Sequence, residues 1–221
     1  MNKEWSEKNK KMQTLIGKEA TFAEGIDALI DLRNDLFSQI SAIVDTYPED
    51  AFYQLPFAGA KGYHSKTLAY SMWHVFRIED IVAHTLISED EQVLIEGGWQ
   101  KKTGSPIITT ANELKGEEIA AFSKELDVKA LYEYCKAVMD STNELLRRLS
   151  YKDMKRKFTG EDEKRVADSH CVSDDEDAIW LIDYWCGKDV RGLLKMPFSR
   201  HWIMHIEAMC RITDKLSKKI G

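Results

Sequence analysis

The stretch Met196-Pro197-Phe198-Ser199-Arg200-His201-Trp202-Ile203-Met204-His205 decides how the rest of the chain is read. It reads as a helix start followed at once by two histidines four residues apart. On an α-helix that spacing puts both imidazoles on one face, one turn apart, where both can reach a single divalent metal. Two ligands from one helix rarely make a closed site, so another element must supply a third. A pair at this spacing also arises by chance in a chain with six His. Its context therefore decides its meaning.

Working outward, the pair opens a helix expected over about Ser199 to Lys218, whose apolar stripe is His201, His205, Ala208, Ile212 and Leu216. Three more long helices follow from the same period. The first starts at Thr21, where Thr21 and Glu24 match a capping box, carries Phe22, Ile26, Leu29, Leu36, Ile40 and Ile43, and ends before Tyr47-Pro48. The second runs from roughly Lys66 to Ile87 on Leu68, Met72, Val75, Ile78, Val82 and Leu86. His74 lies on or at the edge of that stripe, and Arg77, Glu79 and Asp80 form a charged flank. The third covers about Val128 to Leu149, with Arg147 and Arg148 suited to the negative end of its dipole.

The connections are long. Residues 48–63 are rich in Pro, Gly and aromatics and read as a loop. Residues 88–127 read as short helical pieces broken at Gly97-Gly98 and Gly104-Ser105-Pro106. The charged segment 150–174 reads as a solvated turn or hairpin, with KFTG and KRVAD as two short strands, and Asp174 to Gly187 as a short helix. Residues 1–17 read as a polar lead-in that packs one aromatic. The expected fold is all-α: a single domain over 18–221, a four-helix bundle with long connections and short extra helices.

Bulk properties narrow the function. A chain of 221 residues, 43% hydrophobic and 31% charged, has the composition of a globular domain with a real core. A net charge of −6 with the signs interspersed argues against a nucleic-acid binder, which needs a basic face. No apolar run approaches the ~20 residues of a membrane span, and the N-terminal stretch lacks the apolar core of a secretory signal. Four scattered Cys without a C-x-x-C fit a reduced, cytoplasmic protein.

Three histidines stand on bundle-facing helices: His74, His201 and His205. Three neutral imidazoles with an open fourth position are a catalytic-zinc arrangement, although nickel, iron and cobalt accept the same donors. The open position would acidify water or a thiol. Against this, a lone His on an apolar face is more often a hydrogen-bonded core residue, and for the pair the two readings are evenly balanced. His64 reads as a loop or capping residue that could line a cleft. His84 lies too far round its helix to share a metal with His74, and His170 sits in a charged segment. Trp73, Trp99, Trp180, Trp185 and Trp202 are either pocket walls or core, and Cys135 and Cys210 are small core residues. No P-loop, G-x-S-x-G, G-x-G-x-x-G or H-E-x-x-H occurs.

With these residues in view, the chain resembles the DinB/YfiT superfamily of four-helix metalloenzymes. The resemblance is carried by WHVFRIED (73–80) and MPFSRHWIMHIEAM (196–209), and by the stretches 122–149 and 180–197 between them. It implies that His74, His201 and His205 are the metal ligands, that the metal is zinc or nickel, and that the protein is a homodimer. It implies an activity of thiol S-transferase or hydrolase type on a small-molecule substrate, with a low-molecular-weight thiol such as bacillithiol or mycothiol. A non-catalytic metal- or ligand-binding bundle, or a stress-response dimer, is the alternative. The connections 88–127 and 150–174 are longer than a minimal bundle needs and bear on the substrate class rather than on the ligands.

Overall fold

The structure, a computed structural model, describes the backbone of residues 2–220 and the side chains of 2–218. Among the described residues every regular element is helical and no β-strand forms; Lys157 and Asp189 make an isolated bridge. Helix α1 (Lys3–Leu15) leads into α2 (Phe22–Thr46) and, after a loop, α3 (Leu68–Asp80). The last of these widens without a break into a π-helical segment, Ile81–Ser88. Short helices α4 (Val93–Glu96), α5 (Trp99–Thr103) and α6 (Glu117–Glu125) precede the long α7 (Val128–Arg148). Helices α8 (Gly160–Asp168), α9 (Trp180–Cys186) and α10 (Val190–Lys195) follow. A π-helical turn, Met196–Arg200, then feeds α11 (His201–Ile220). None of these helices is long and apolar enough to cross a membrane.

Four long helices close a ring of contacts. Helix α2 packs on α7 and α11, and α3 packs on the same two. Their apolar stripes meet in one cluster around Leu36, Phe76, Leu131 and Ile206, and in a second around Leu29, Val82, Leu146 and Phe198. Period-3.6 patterning is the cause, since each stripe finds its burial only against the others. Pro197 explains the π turn: it has no N–H to donate, and the His201 N–H reaches back to the Met196 carbonyl. Such wide turns free carbonyls, and the Phe198 carbonyl is taken up by Arg33 at 3.3 Å.

Several expectations are corrected. The first 17 residues are more than a lead-in: α1 packs along α2 and buries Trp5, Met12 and Ile16. That close crossing depends on Gly25, where a Cβ would stand 2.6 Å from Ile16 atoms. The expected capping box at Thr21 does not form, because the Thr21 hydroxyl donates to the Leu15 carbonyl at 2.8 Å and so ties α1 to α2. The segment 150–174 is no hairpin. Capping boxes at Ser150/Asp153 and Thr159/Asp162 start helical turns there, the second being α8. The helix expected from Asp174 begins only at Trp180.

The charged flank of Arg77, Glu79 and Asp80 is fully buried, which the sequence reading did not anticipate. Glu79 receives a bidentate pair from Arg33 of α2, both N–O distances 2.7 Å, and a 2.8 Å bond from the Trp202 indole of α11. Arg33 also donates to Asn143 of α7 at 2.9 Å, so one network joins all four long helices. Arg77 is bound by Asp80 at 2.9 Å, Gln92 at 2.9 Å and Tyr134 at 3.1 Å. Asp80 in turn caps α4 through the Val93 and Leu94 N–H groups. Buried charges survive only when paired and fully hydrogen-bonded. Both pairs meet that condition.

Candidate metal centre

One face of α3 grips a single loop. Tyr70, His74, Trp73 and Arg77 donate to the successive carbonyls of Ala111, Thr110, Thr109 and Ile108 at 3.0, 2.8, 2.9 and 3.0 Å respectively. Ala111 reaches a left-handed φ of 63° to present this row. For His74 the bond has a chemical result: Nδ1 carries the proton to Thr110, and Nε2 is left with a lone pair. That is how a hydrogen bond to the second ring nitrogen fixes a ligand tautomer.

The Nε2 lone pair points at α11. His74 Nε2 lies 3.2 Å from His201 Nε2. Ring centroids are 5.1 Å apart for His74–His201, 4.8 Å for His74–His205 and 4.6 Å for His201–His205. One ligand atom from each residue falls within 4.8 Å of the others. The i,i+4 pair of α11 and the His of α3 are therefore brought together. All three are buried, and His201 Nδ1 and both nitrogens of His205 have no hydrogen-bond partner. Orphaned buried nitrogens cost stability unless something binds them.

Burial pulls the His74 pKa down to about 4, against the raising effect of the Thr110 bond. Burial, then the neighbouring imidazoles, hold His201 and His205 well below the usual histidine range. Three neutral imidazoles at neutral pH are the donor set that a divalent transition metal takes. The residues fit such an ion.

A cavity of about 250 Å³ opens on the cluster. Its far wall is apolar, formed by Ile78, Leu181, Trp185, Met196 and Pro197, with Trp180 at the exposed rim. Of the five tryptophans considered, Trp180 and Trp185 line the cavity. Trp73 and Trp202 are fully buried core residues with their N–H groups spent, and Trp99 packs beside Tyr134. Tyr63, 38% exposed, sets its ring edge-on to His205 at 4.8 Å. Tyr63 and Asn112 also line the cavity and were not among the site residues expected from the sequence. The only local signal was the aromatic and Gly-rich loop at 48–63.

The remaining histidines lie elsewhere. His64 meets Arg211 at 2.9 Å, and His170 adopts a left-handed turn. His84 binds Asp90 at 2.6 Å and Ser141 at 3.1 Å, distances that copy a nucleophile–base–orienter relay. Ser141 sits in the middle of α7, where neighbouring N–H groups are spent on the helix and none can serve as an oxyanion donor. The set is a strut between the π segment and α7. Burial raises the thiols of Cys135, Cys186 and Cys210, the second to about 11, so none is poised as a thiolate. Cys135 is in the core, as expected, and Cys210 is half-buried against it.

No known protein-family model matches this chain, and no curated protein is significantly similar to it.

Proposed function

We propose that the chain is a DinB-like four-helix-bundle protein that holds one divalent metal, zinc or nickel, on His74, His201 and His205. On this reading it acts on a small molecule as a thiol transferase or hydrolase. The carrying observation is the convergence of three buried, neutral imidazoles whose ligand atoms lie within 4.8 Å, three of their ring nitrogens having no partner. A divalent metal held there would supply a Lewis acid, which would favour the deprotonated form of a thiol or water at neutral pH.

The protein's own contribution is positioning. The Thr110 carbonyl holds His74 in the tautomer that leaves Nε2 free. The buried Arg33–Glu79–Trp202 network fixes α11 against α2 and α3, and with it the neighbouring His201. Leu181, Trp185 and Met196 make one side of the cleft apolar. The same resemblance supports a cytoplasmic homodimer.

The test is turnover. Tag-free protein is loaded with zinc and offered a panel of low-molecular-weight thiols with 1-chloro-2,4-dinitrobenzene, and separately a panel of aryl esters. Zinc-dependent product that His205→Ala abolishes is expected. Absence of zinc-dependent turnover in both panels would leave only the binding function.

A further inference from the structure

The imidazole cluster opens in two directions, and the two walls differ in chemistry. Towards α9 and the π turn the lining is apolar. Towards the start of α3, a second cavity of about 270 Å³ joins His74 and His205 to Tyr63, Ser65, Lys66 and Asn112. It continues into an open groove of about 720 Å³, where Ser65, Lys66 and Asn112 recur beside Lys115. The histidines stand where an apolar chamber meets a polar one.

Lys66 is the cation of the polar chamber. Its ammonium lies 4.5 Å from the Tyr70 ring centroid, and Tyr70 stacks on His74 at 5.5 Å with ring planes 11° apart. Lys66 is thus one aromatic ring away from a proposed ligand. The carboxylate whose field it feels is Asp177, but Lys115 already binds that group at 2.6 Å. Glu117 also lines the groove. Among the described residues no carboxylate forms an ion pair with Lys66. A half-buried ammonium with an aromatic face but no paired anion is costly, and an incoming anion offsets that cost.

We propose that the ligand of this cleft is a small amphipathic carboxylate, with its apolar body in the Leu181–Trp185 chamber and its carboxylate on Lys66. Asn112 and the Tyr63 hydroxyl offer neutral hydrogen bonds beside it. One available ammonium suits a single negative charge rather than a phosphate dianion, which recruits several cations or a bidentate Arg. This inference rests on the three-His cleft being a ligand site, but it does not require that a metal be bound.

The probes are 1-naphthaleneacetate and its neutral analogue 1-naphthaleneacetamide, titrated by calorimetry and tryptophan fluorescence against the chelator-stripped 221-residue protein at pH 7. Wild type should bind the acid about tenfold more tightly than the amide, the worth of one charge-assisted contact. Lys66→Gln should bring the two within about twofold while amide affinity holds, and Lys66→Arg should keep the preference. Equal affinities in wild type, no binding of either probe, or a preference that survives Lys66→Gln overturns the proposal. If Lys66→Gln loses both probes, Lys66→Arg decides: a retained preference supports Lys66 as the anion reader, and a lost one overturns it. Because the comparison is made without metal, a failure of zinc binding at the histidines leaves its outcome intact and separately readable.

Discussion

Glu79→Gln removes one charge and changes almost no volume, at the point where all four long helices meet. Glu79 is 0% exposed and accepts three hydrogen bonds, two from Arg33 and one from Trp202. The variant keeps a carbonyl for Trp202 but turns an NH₂ towards the guanidinium, and leaves Arg33 as an unneutralised cation in the core. Breaking one side of a buried pair costs about 3–5 kcal/mol, a large share of the ~5–15 kcal/mol by which domains are stable. Arg33→Met strands the carboxylate instead and should cost a similar amount. The double variant Arg33→Met/Glu79→Gln leaves no unpaired buried charge, and the carbonyl of the new side-chain amide can still serve the indole. Its loss should fall well short of the sum of the singles, because replacing both members of a buried pair is often near neutral. Urea unfolding of the four proteins, followed by circular dichroism, measures this cycle. A single-variant cost below about 1 kcal/mol, or additive singles, refutes the network as the fastening of α11.

Two further outcomes follow from the geometry and a third from the resemblance. Burial keeps His74 neutral down to about pH 4, while the unfolded chain takes up its proton near the ordinary value of 6.5. The unfolded state therefore binds more protons between those limits. Stability of metal-free protein is full above about pH 6.5 and is lost as pH falls towards 4, by ~3 kcal/mol for this residue, with His201 and His205 adding in the same direction. Urea midpoints at pH 7 and pH 5 check it, and equal midpoints contradict it. Gly25→Ala places a Cβ 2.6 Å from Ile16, including a backbone atom that cannot swing aside. Thermal unfolding should report a loss of about 1–3 kcal/mol despite the better helix propensity, with zinc content unchanged. The proposed homodimer should sediment at twice 25.4 kDa, and a single species at 25.4 kDa contradicts it.

Much of the helical framework was legible because its signals are local. Helices α2 and α7 begin and end within about a residue of the limits set by Thr21, Pro48 and the Val128–Leu149 stripe. The i,i+4 histidines and His74 were readable as facing the interior for the same reason. What escaped was non-local. Nothing near Glu79 announces that its partner is Arg33 of another helix, so charges amid an apolar stripe read only as a charged flank. Helix α1 hid because Trp5, Asn9, Met12 and Ile16, although three or four residues apart, are thinly spread among lysines and glutamates. In 150–174 the charge density masked two capping boxes whose third residue is Asp rather than the usual Glu. Tyr63 belongs to a loop, and only the chain's return at α11 sets it against His205; Lys66 lies two turns before His74 with Tyr70 between them, but a lysine at a helix entrance reads as solvated.

The central claim is that His74, His201 and His205 together hold one metal ion. Tag-free protein, stripped with a chelator, incubated with zinc and desalted, is assayed for zinc per chain by plasma mass spectrometry beside His74→Ala and His205→Ala. One zinc per wild-type chain, and far less in both folded variants, is the predicted result. Zinc retained in full by both variants, or absent from wild type, contradicts it.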